Sequence, residues 1–195
     1  MFVFLASFII FVLILNFFIH KSSQNHRNTE DSFWEREQKA NFTRRKDISN
    51  LGYITIPPEI IPENLHTDSE KKLTELSSKK MLNLTGLTNT DLKLQYGAAN
   101  LEALSEYDNN FTTFVQTVPV YAKELTEAGQ AEAARELLEF AVSCQADSGS
   151  IFLQLAELYT QSGQPDKIQG LIDSAEKLPS LEGPIIARKL KAYLP

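Results

Sequence analysis

The side chains that could carry out catalysis are few and lie far apart. The histidines are His20, His26 and His66, and the single cysteine is Cys144. Acid–base or nucleophilic catalysis needs such a group beside a second polar partner. All three histidines precede the helical half of the chain, and Cys144 lies among apolar residues of a predicted helix, as a structural thiol does. We therefore predict no catalytic site and no enzymatic activity.

Signals for bound groups are equally sparse. Glu132, Glu136 and Glu139 could share one helix face, but without histidine such a run is usually a solvated surface. The glycine patterns that hold nucleotide phosphates are missing. One cysteine can form neither an internal disulfide nor a cysteine-based zinc cage. The formal charge of −6 argues against a nucleic-acid surface. The sequence thus predicts no cofactor, no metal and no nucleic acid.

The first segment indicates a membrane anchor. Residues 1–19 read MFVFLASFIIFVLILNFFI and contain no charged side chain. At about 1.5 Å per residue, a helix of this length reaches nearly 30 Å, roughly the thickness of the hydrocarbon core. A cleaved signal peptide would have a basic start, a shorter apolar run and a small-residue cleavage site. We predict a retained transmembrane anchor over residues 1–20, in contact with the lipid bilayer.

The charges after this segment predict its orientation. Cytoplasmic flanks carry the excess of lysine and arginine. Residues 21–46 hold seven such residues against four acidic ones. Glycosylation sequons at Asn41, Asn83 and Asn110 favour the opposite side only in a glycosylating secretory route, and three-residue matches arise by chance. The expected location is a single-pass membrane protein with its C-terminal domain in the cytoplasm.

A juxtamembrane tether is predicted over residues 21–50, with a short helix over residues 31–41. This helix contains Phe33 and Trp34 among mostly charged side chains. Large aromatic residues in such a segment either dock on the folded domain or lie at the membrane interface. The sequence leaves both possibilities open.

An extended strap and a short helix are predicted over residues 51–88. The strap, Leu51–Pro62, reads LGYITIPPEIIP; β-branched residues favour an extended backbone, and the paired prolines forbid a helix or a central strand. It either packs along its own domain or offers itself to a partner as an added strand. A helix between Thr67 and Lys80, capped by Thr67 or Asp68, is expected to be an outer, partly solvated element.

From residue 89 to residue 195 the apolar spacing is helical. One stripe, over Pro165–Leu178, ends at Pro179 and follows a helix that ends at Gly163. Gly129 and Gly163 lie 34 residues apart. The same shift aligns residues of matching size: Tyr121 with Leu155, Ala122 with Ala156, Leu125 with Tyr159, Leu138 with Ile172, and Ala141 with Ala175. Small residues at equivalent positions allow helices to approach closely, so the period indicates two helical hairpins.

This pattern resembles the tetratricopeptide repeat family, which alternates large, small and aromatic residues, a turn glycine, and small residues followed by proline. The best match is the second unit, Gly149–Pro179; it has Ile168 where a small residue is usual. The first unit, Val115–Ala146, lacks the leading tryptophan and the closing proline and has Pro119 inside its first helix. The resemblance implies a right-handed α-solenoid fragment, preceded here by the transmembrane helix and the extended strap.

Two such hairpins need further elements to cover their apolar faces. The stripe of Ala98, Leu101, Leu104 and Tyr107 is expected to form the second helix of a degenerate earlier unit. Gly183 and Pro184 are expected to begin a solubilising final helix. This all-α region carries eight lysine or arginine residues against fifteen acidic ones.

The resemblance implies binding of a protein or peptide partner along the concave face of the first helices. Residues that match this face are Lys123, Thr126, Glu127, Leu153, Glu157, Thr160 and Gln161. Only one of them is basic, so a clamp for a partner's terminal carboxylate is not supported. We expect a membrane-anchored adaptor or scaffold. The alternative is a structural or assembly component of a membrane complex, whose groove is filled by its own strap, residues 51–62.

Overall fold

The computed structural model describes residues 4, 11, 14–15 and 30–194. The predicted anchor, residues 1–20, therefore lies almost entirely outside the described residues. Among the residues that are described, no helix combines the length and the apolar character needed to cross a bilayer.

The described chain is all-α, as predicted. Helix α1 covers residues 30–41, and seven more follow: α2 Asp68–Ser77, α3 Asn89–Tyr96, α4 Leu101–Glu127, α5 Ala131–Ser143, α6 Gly149–Gln161, α7 Lys167–Glu176 and α8 Glu182–Leu190. Short 3-10 turns lie at Pro58–Ile60, Ala98–Asn100 and Lys191–Tyr193. Strand pairing in the described residues is limited to an isolated antiparallel bridge between Ile54 and Met81.

The two hairpins repeat the same local structure after 34 residues. Gly129 and Gly163 both have a positive φ, 78° and 70°, which permits the sharp turn after α4 and after α6. The N–H of Gln130 donates to Leu125 O, and the N–H of Gln164 donates to Tyr159 O, both at 2.8 Å. Each aligned pair of residues predicted from the sequence is buried: Tyr121 and Leu155, Ala122 and Ala156, Leu125 and Tyr159, Leu138 and Ile172, Ala141 and Ala175.

The prediction of a separate helix before the first hairpin is wrong. Leu101, Leu104 and Tyr107 belong to α4, which continues without a break to Glu127. Pro119 lies inside this helix but does not end it. A proline removes a hydrogen bond and disfavours the preceding turn, and burial of Val118, Tyr121 and Ala122 around it offsets that cost.

Helix α2 begins where the sequence predicts but is not an outer element. Thr67 caps it by accepting a hydrogen bond from the N–H of Glu70 at 3.2 Å. Leu73 and Leu76 are buried in the main core against α4, and the Glu70 carboxylate is also buried. Although α2 has few apolar residues, Leu73 and Leu76 lie about one turn apart and together cover its contact with α4.

The strap packs on its own domain. Ile54 pairs with Met81 through a hydrogen bond of 2.9 Å, and Ile56 and Ile61 are buried in the main core. The hydroxyl of Tyr121 donates to Pro62 O at 2.6 Å. Apolar residues at this spacing would be costly to leave in water, so the strap is part of the folded body.

A smaller core lies beside the first. It is formed by Leu82, Leu84, Leu92 and Leu104, with Tyr53 and Tyr107 packed edge to face on it at 5.5 Å. Gly97, with a φ of 92°, allows residues 43–46 to cross it closely, because a Cβ there would meet Arg44 O at 2.3 Å. This crossing holds the chain after α1 against the start of α4.

Candidate partner-binding face

Helices α4 and α6 lie side by side and form two depressions, which together we name the α4/α6 face. The depression near the start of α6 has a volume of about 390 Å³ and is lined by Thr85, Phe111, Thr112, Val115, Gln116, Pro119, Asp147 and Ser148. The depression near the end of α6 has a volume of about 200 Å³ and is lined by Lys123, Thr126, Gln154, Glu157, Leu158 and Gln161.

The two depressions follow one stripe of α4. Residues Thr112, Val115, Pro119, Lys123 and Thr126 succeed one another at intervals of three or four and so share one side of the helix. Helices α4 and α6 run in the same direction, since the middle of α4 and the turn before α6 line one depression and the later parts of both helices line the other. The two depressions therefore follow one another along one side of α4, and together we call them the groove.

Four of the seven predicted binding residues meet in the second depression: Lys123, Thr126, Glu157 and Gln161. The Nζ of Lys123 lies 3.8 Å from Glu127 Oε1, and both side chains are largely exposed. Glu157 Oε1 accepts a hydrogen bond from the Tyr193 hydroxyl at 3.2 Å, which ties α6 to the last turn of the chain. Each charged side chain of this depression thus has one polar neighbour.

The other three predicted residues do not line the depression. Glu127 lies at its edge, paired with Lys123. Leu153 is half-buried and packs against the main core. Thr160 is exposed, and its Oγ1 donates to Ala156 O at 2.9 Å along its own helix. The repeat pattern indicates which helices form the face, but it does not indicate which residues of those helices face outward. That depends on how the helices pack against one another.

Sequence reasoning missed Gln154 and Leu158, although a signal for them was present. Together with Glu157 and Gln161 they form an i, i+3, i+4, i+7 set on α6. This spacing places all four on one side of a helix.

Asp147 was also missed, and it gives the first depression its charge. It is the only charged residue that lines this depression. Its Oδ1 is closed to solvent and accepts no hydrogen bond from the described residues. The start of α6, which follows at Gly149, favours a nearby carboxylate, but no N–H donates to Oδ1. One end of the groove therefore has a carboxylate oxygen that no donor of the described residues reaches.

The strap lies on the opposite side of α4 from this groove. Tyr121 bonds to Pro62, and Glu124 accepts hydrogen bonds from Thr67 and Ser69 at 2.7 and 3.2 Å. Tyr121 and Lys123 differ by two residues, or about 200° around the helix axis. None of residues 51–62 lines either depression.

A larger cleft, of about 630 Å³, lies between α5 and α7. Two of its charged lining residues, Glu139 and Lys167, are paired with each other, with Lys167 Nζ 3.6 Å from Glu139 Oε1. The same carboxylate oxygen accepts a hydrogen bond from the Tyr159 hydroxyl at 2.9 Å and lies 3.7 Å from Arg135 Nη1. Burial and the bond to Glu139 raise the pKa of Tyr159. This cleft lies away from the α4/α6 face and contains none of the predicted binding residues.

Of the candidate catalytic groups, the structure describes His66 and Cys144, whereas His20 and His26 lie outside the described residues. Cys144 is half-buried, and this burial raises the pKa of its thiol, so little reactive thiolate is present at neutral pH. The part of the chain that the structure describes contains no group of three or more histidine, cysteine or acidic residues able to hold a metal ion. Glu132 is exposed and pairs with Arg135.

Comparison with family models, with curated proteins and with solved structures finds no match to this chain.

Proposed function

We propose that this chain is a membrane-anchored protein–protein interaction module, an adaptor or scaffold, that binds a partner peptide or protein along the α4/α6 face. The observation that carries the proposal is the groove itself: two depressions on one side of α4, lined by both polar and apolar side chains and not covered by the strap. A tetratricopeptide-like solenoid would use this face, formed by its first helices, to hold an extended segment.

The charge of the groove favours a partner segment with basic residues. The helical region is acidic overall, with eight basic against fifteen acidic residues. Asp147 at one end has a carboxylate oxygen without a donor. Asp147 is half-buried, and a cationic side chain of a partner would pair with its carboxylate.

The anchor and the location belong to the same proposal. The apolar residues 1–20 would hold the module in the bilayer, and the lysine and arginine residues that follow would keep it in the cytoplasm. Attachment would raise the local concentration of the module for partners at the membrane.

The proposal is tested by photo-crosslinking in the full-length protein in its native membrane. A photoreactive residue replaces Gln154 or Thr126 on the face, and Glu136 or Lys189, both exposed elsewhere, in matched controls. We expect crosslinks to another protein from the first two positions only. Equal yields at all four positions would exclude the face as the binding site.

A charge swap adds a second criterion. Lys123→Glu combined with Glu157→Lys should abolish these crosslinks while leaving the circular dichroism spectrum unchanged, because both side chains are exposed. The control pair, Glu136→Lys with Lys189→Glu, changes the same charges away from the face and should retain them. Crosslinks that survive the first pair would refute recognition through this depression.

A structural or assembly role is the second candidate. It is favoured by the burial of Ile56 and Ile61, which makes the strap part of the core. In that case the chain would be a folded component of a membrane complex. The absence of any crosslinked partner at the groove, with a stable fold, would favour this role.

A further inference from the structure

Helix α1 is fastened to α3 by polar contacts across more than fifty residues of sequence. Arg36 Nη2 donates to Asp91 Oδ1 at 2.6 Å. Lys93 contacts both Glu37 and Asn41, the latter at 2.8 Å. Hydrogen bonds from Lys93 and Thr90 lower the pKa of Glu37.

The same helix has a buried position at its end. Ala40 is completely buried, although most of the neighbouring side chains are exposed. A small residue at the contact lets α1 lie close to the domain. The helix is therefore a docked element with a defined direction rather than a free tether.

The aromatic pair at the beginning of α1 does not take part in this docking. Phe33 and Trp34 are 55% and 65% exposed. Their rings contact each other edge to face, with centroids 5.5 Å apart. Neither ring belongs to the two apolar cores or to the residues packed against them. Of the two possibilities left open by the sequence, the docked one is wrong.

Large aromatic rings that are exposed in the folded domain favour an apolar environment outside it. Burying an aromatic side chain removes a large apolar surface from water. Tryptophan prefers the membrane–water boundary, where its ring is buried and its indole N–H stays close to polar groups. A partner protein could also bury the two rings. The position of the pair along the chain decides between a membrane and a protein partner.

The chain places the pair close to the bilayer of the predicted anchor. Residues 21–29 separate the predicted anchor from α1. These nine residues span at most about 32 Å when fully extended and about 17 Å as a flexible coil. The beginning of α1 therefore stays within reach of the membrane surface.

We propose that Phe33 and Trp34 insert into the boundary between headgroups and acyl chains of the bilayer that holds residues 1–20, and that α1 thereby presses the α3 side of the domain towards the membrane. This inference rests on the proposed membrane anchor. Glu30, Asp31 and Glu35 lie beside the pair, so the attraction is to the apolar boundary and not to anionic headgroups.

The sequence supplies its own reporter, because Trp34 is the only tryptophan. The full-length protein is reconstituted into phosphatidylcholine vesicles with and without brominated acyl chains. We expect a blue-shifted emission, loss of most of the fluorescence in brominated vesicles, and weak quenching by acrylamide from the aqueous phase. Emission typical of water, quenched by acrylamide but not by brominated lipid, would overturn the inference.

A matched control moves the reporter to a position that should face water. In Trp34→Phe combined with Leu181→Trp, the new tryptophan replaces a side chain that is 90% exposed at the start of α8. It should be quenched by acrylamide and not by brominated lipid. Equal lipid quenching at both positions would mean nonspecific adsorption and would overturn the inference.

Flotation of the same vesicles separates this inference from the proposed function. If the protein does not float with the vesicles after alkaline washing, the anchor fails and the inference fails with it. If the protein floats while Trp34 remains in water, only the insertion of α1 is refuted.

Discussion

The strap can be tested through Ile56, whose side chain is completely buried between the strap and the helices. Ile56→Ala removes this side chain and leaves a cavity that the surrounding helices fill only in part. Such substitutions cost about 2–5 kcal/mol. Against a typical total of about 5–15 kcal/mol for the free energy of unfolding, this is a large loss. For a chain of this size, a loss of about 3 kcal/mol lowers Tm by about 6–12 °C.

The assay is thermal unfolding of the full-length protein in mild detergent, followed by far-ultraviolet circular dichroism. Thr55→Ala is the matched control, since Thr55 is exposed next to Ile56 on the same extended segment. We expect it to change the free energy of unfolding by less than about 0.5 kcal/mol. If the two variants unfold at the same temperature as the wild type, the strap contributes nothing to the core and the reasoning from burial is refuted.

Three further predictions concern single positions and use the same unfolding measurement. Burial alone would raise the pKa of Glu70, but hydrogen bonds from three backbone N–H groups and a tyrosine outweigh it and lower the pKa from its usual 4.5. Stability should therefore fall as the pH decreases below 4.5, and less so in Glu70→Gln; equal pH profiles would contradict this. Gly97→Ala, whose new Cβ would meet backbone atoms, should cost more than Gly86→Ala, which has a similar positive φ in open space; equal costs would argue against the close crossing. Pro119→Ala should stabilise α4 by up to about 3 kcal/mol, by restoring a helical hydrogen bond, and a lower Tm would show that proline is required there.

Local signals in the sequence were sufficient for individual helices. The cap at Thr67, the turn glycines at Gly129 and Gly163, and the small residues around them all occupy the structural roles that their types predict. These roles depend on backbone conformation within a few residues, which the local sequence controls.

The sequence was less informative about where one helix ends and the next begins. The apolar stripe of residues 98–107 suggested a separate earlier helix, but the structure has no boundary between it and the helix that contains Pro119. Helix propensity is only a local preference, and burial on both sides of a proline can outweigh it. The same applies to α2, whose two leucines were too few to indicate burial.

The repeat pattern pointed to α4 and α6, and four of the residues that it suggested line one depression of the candidate groove. Asp147 was not predicted, because its neighbours along the chain do not show that one of its carboxylate oxygens lacks a donor. That feature depends on how α4 packs beside the turn that precedes α6.

The sequence alone determined the helical class, the 34-residue period and the strongly apolar first segment, because each depends on residue type and spacing. Only the tertiary structure decided that the strap lies behind α4, that the groove on its other side stays open, and that α1 docks on α3 while Phe33 and Trp34 remain exposed. Those outcomes are set by contacts such as Arg36 with Asp91, whose partners are 55 residues apart. No local preference fixes such a pair, since its energy exists only once the chain has folded.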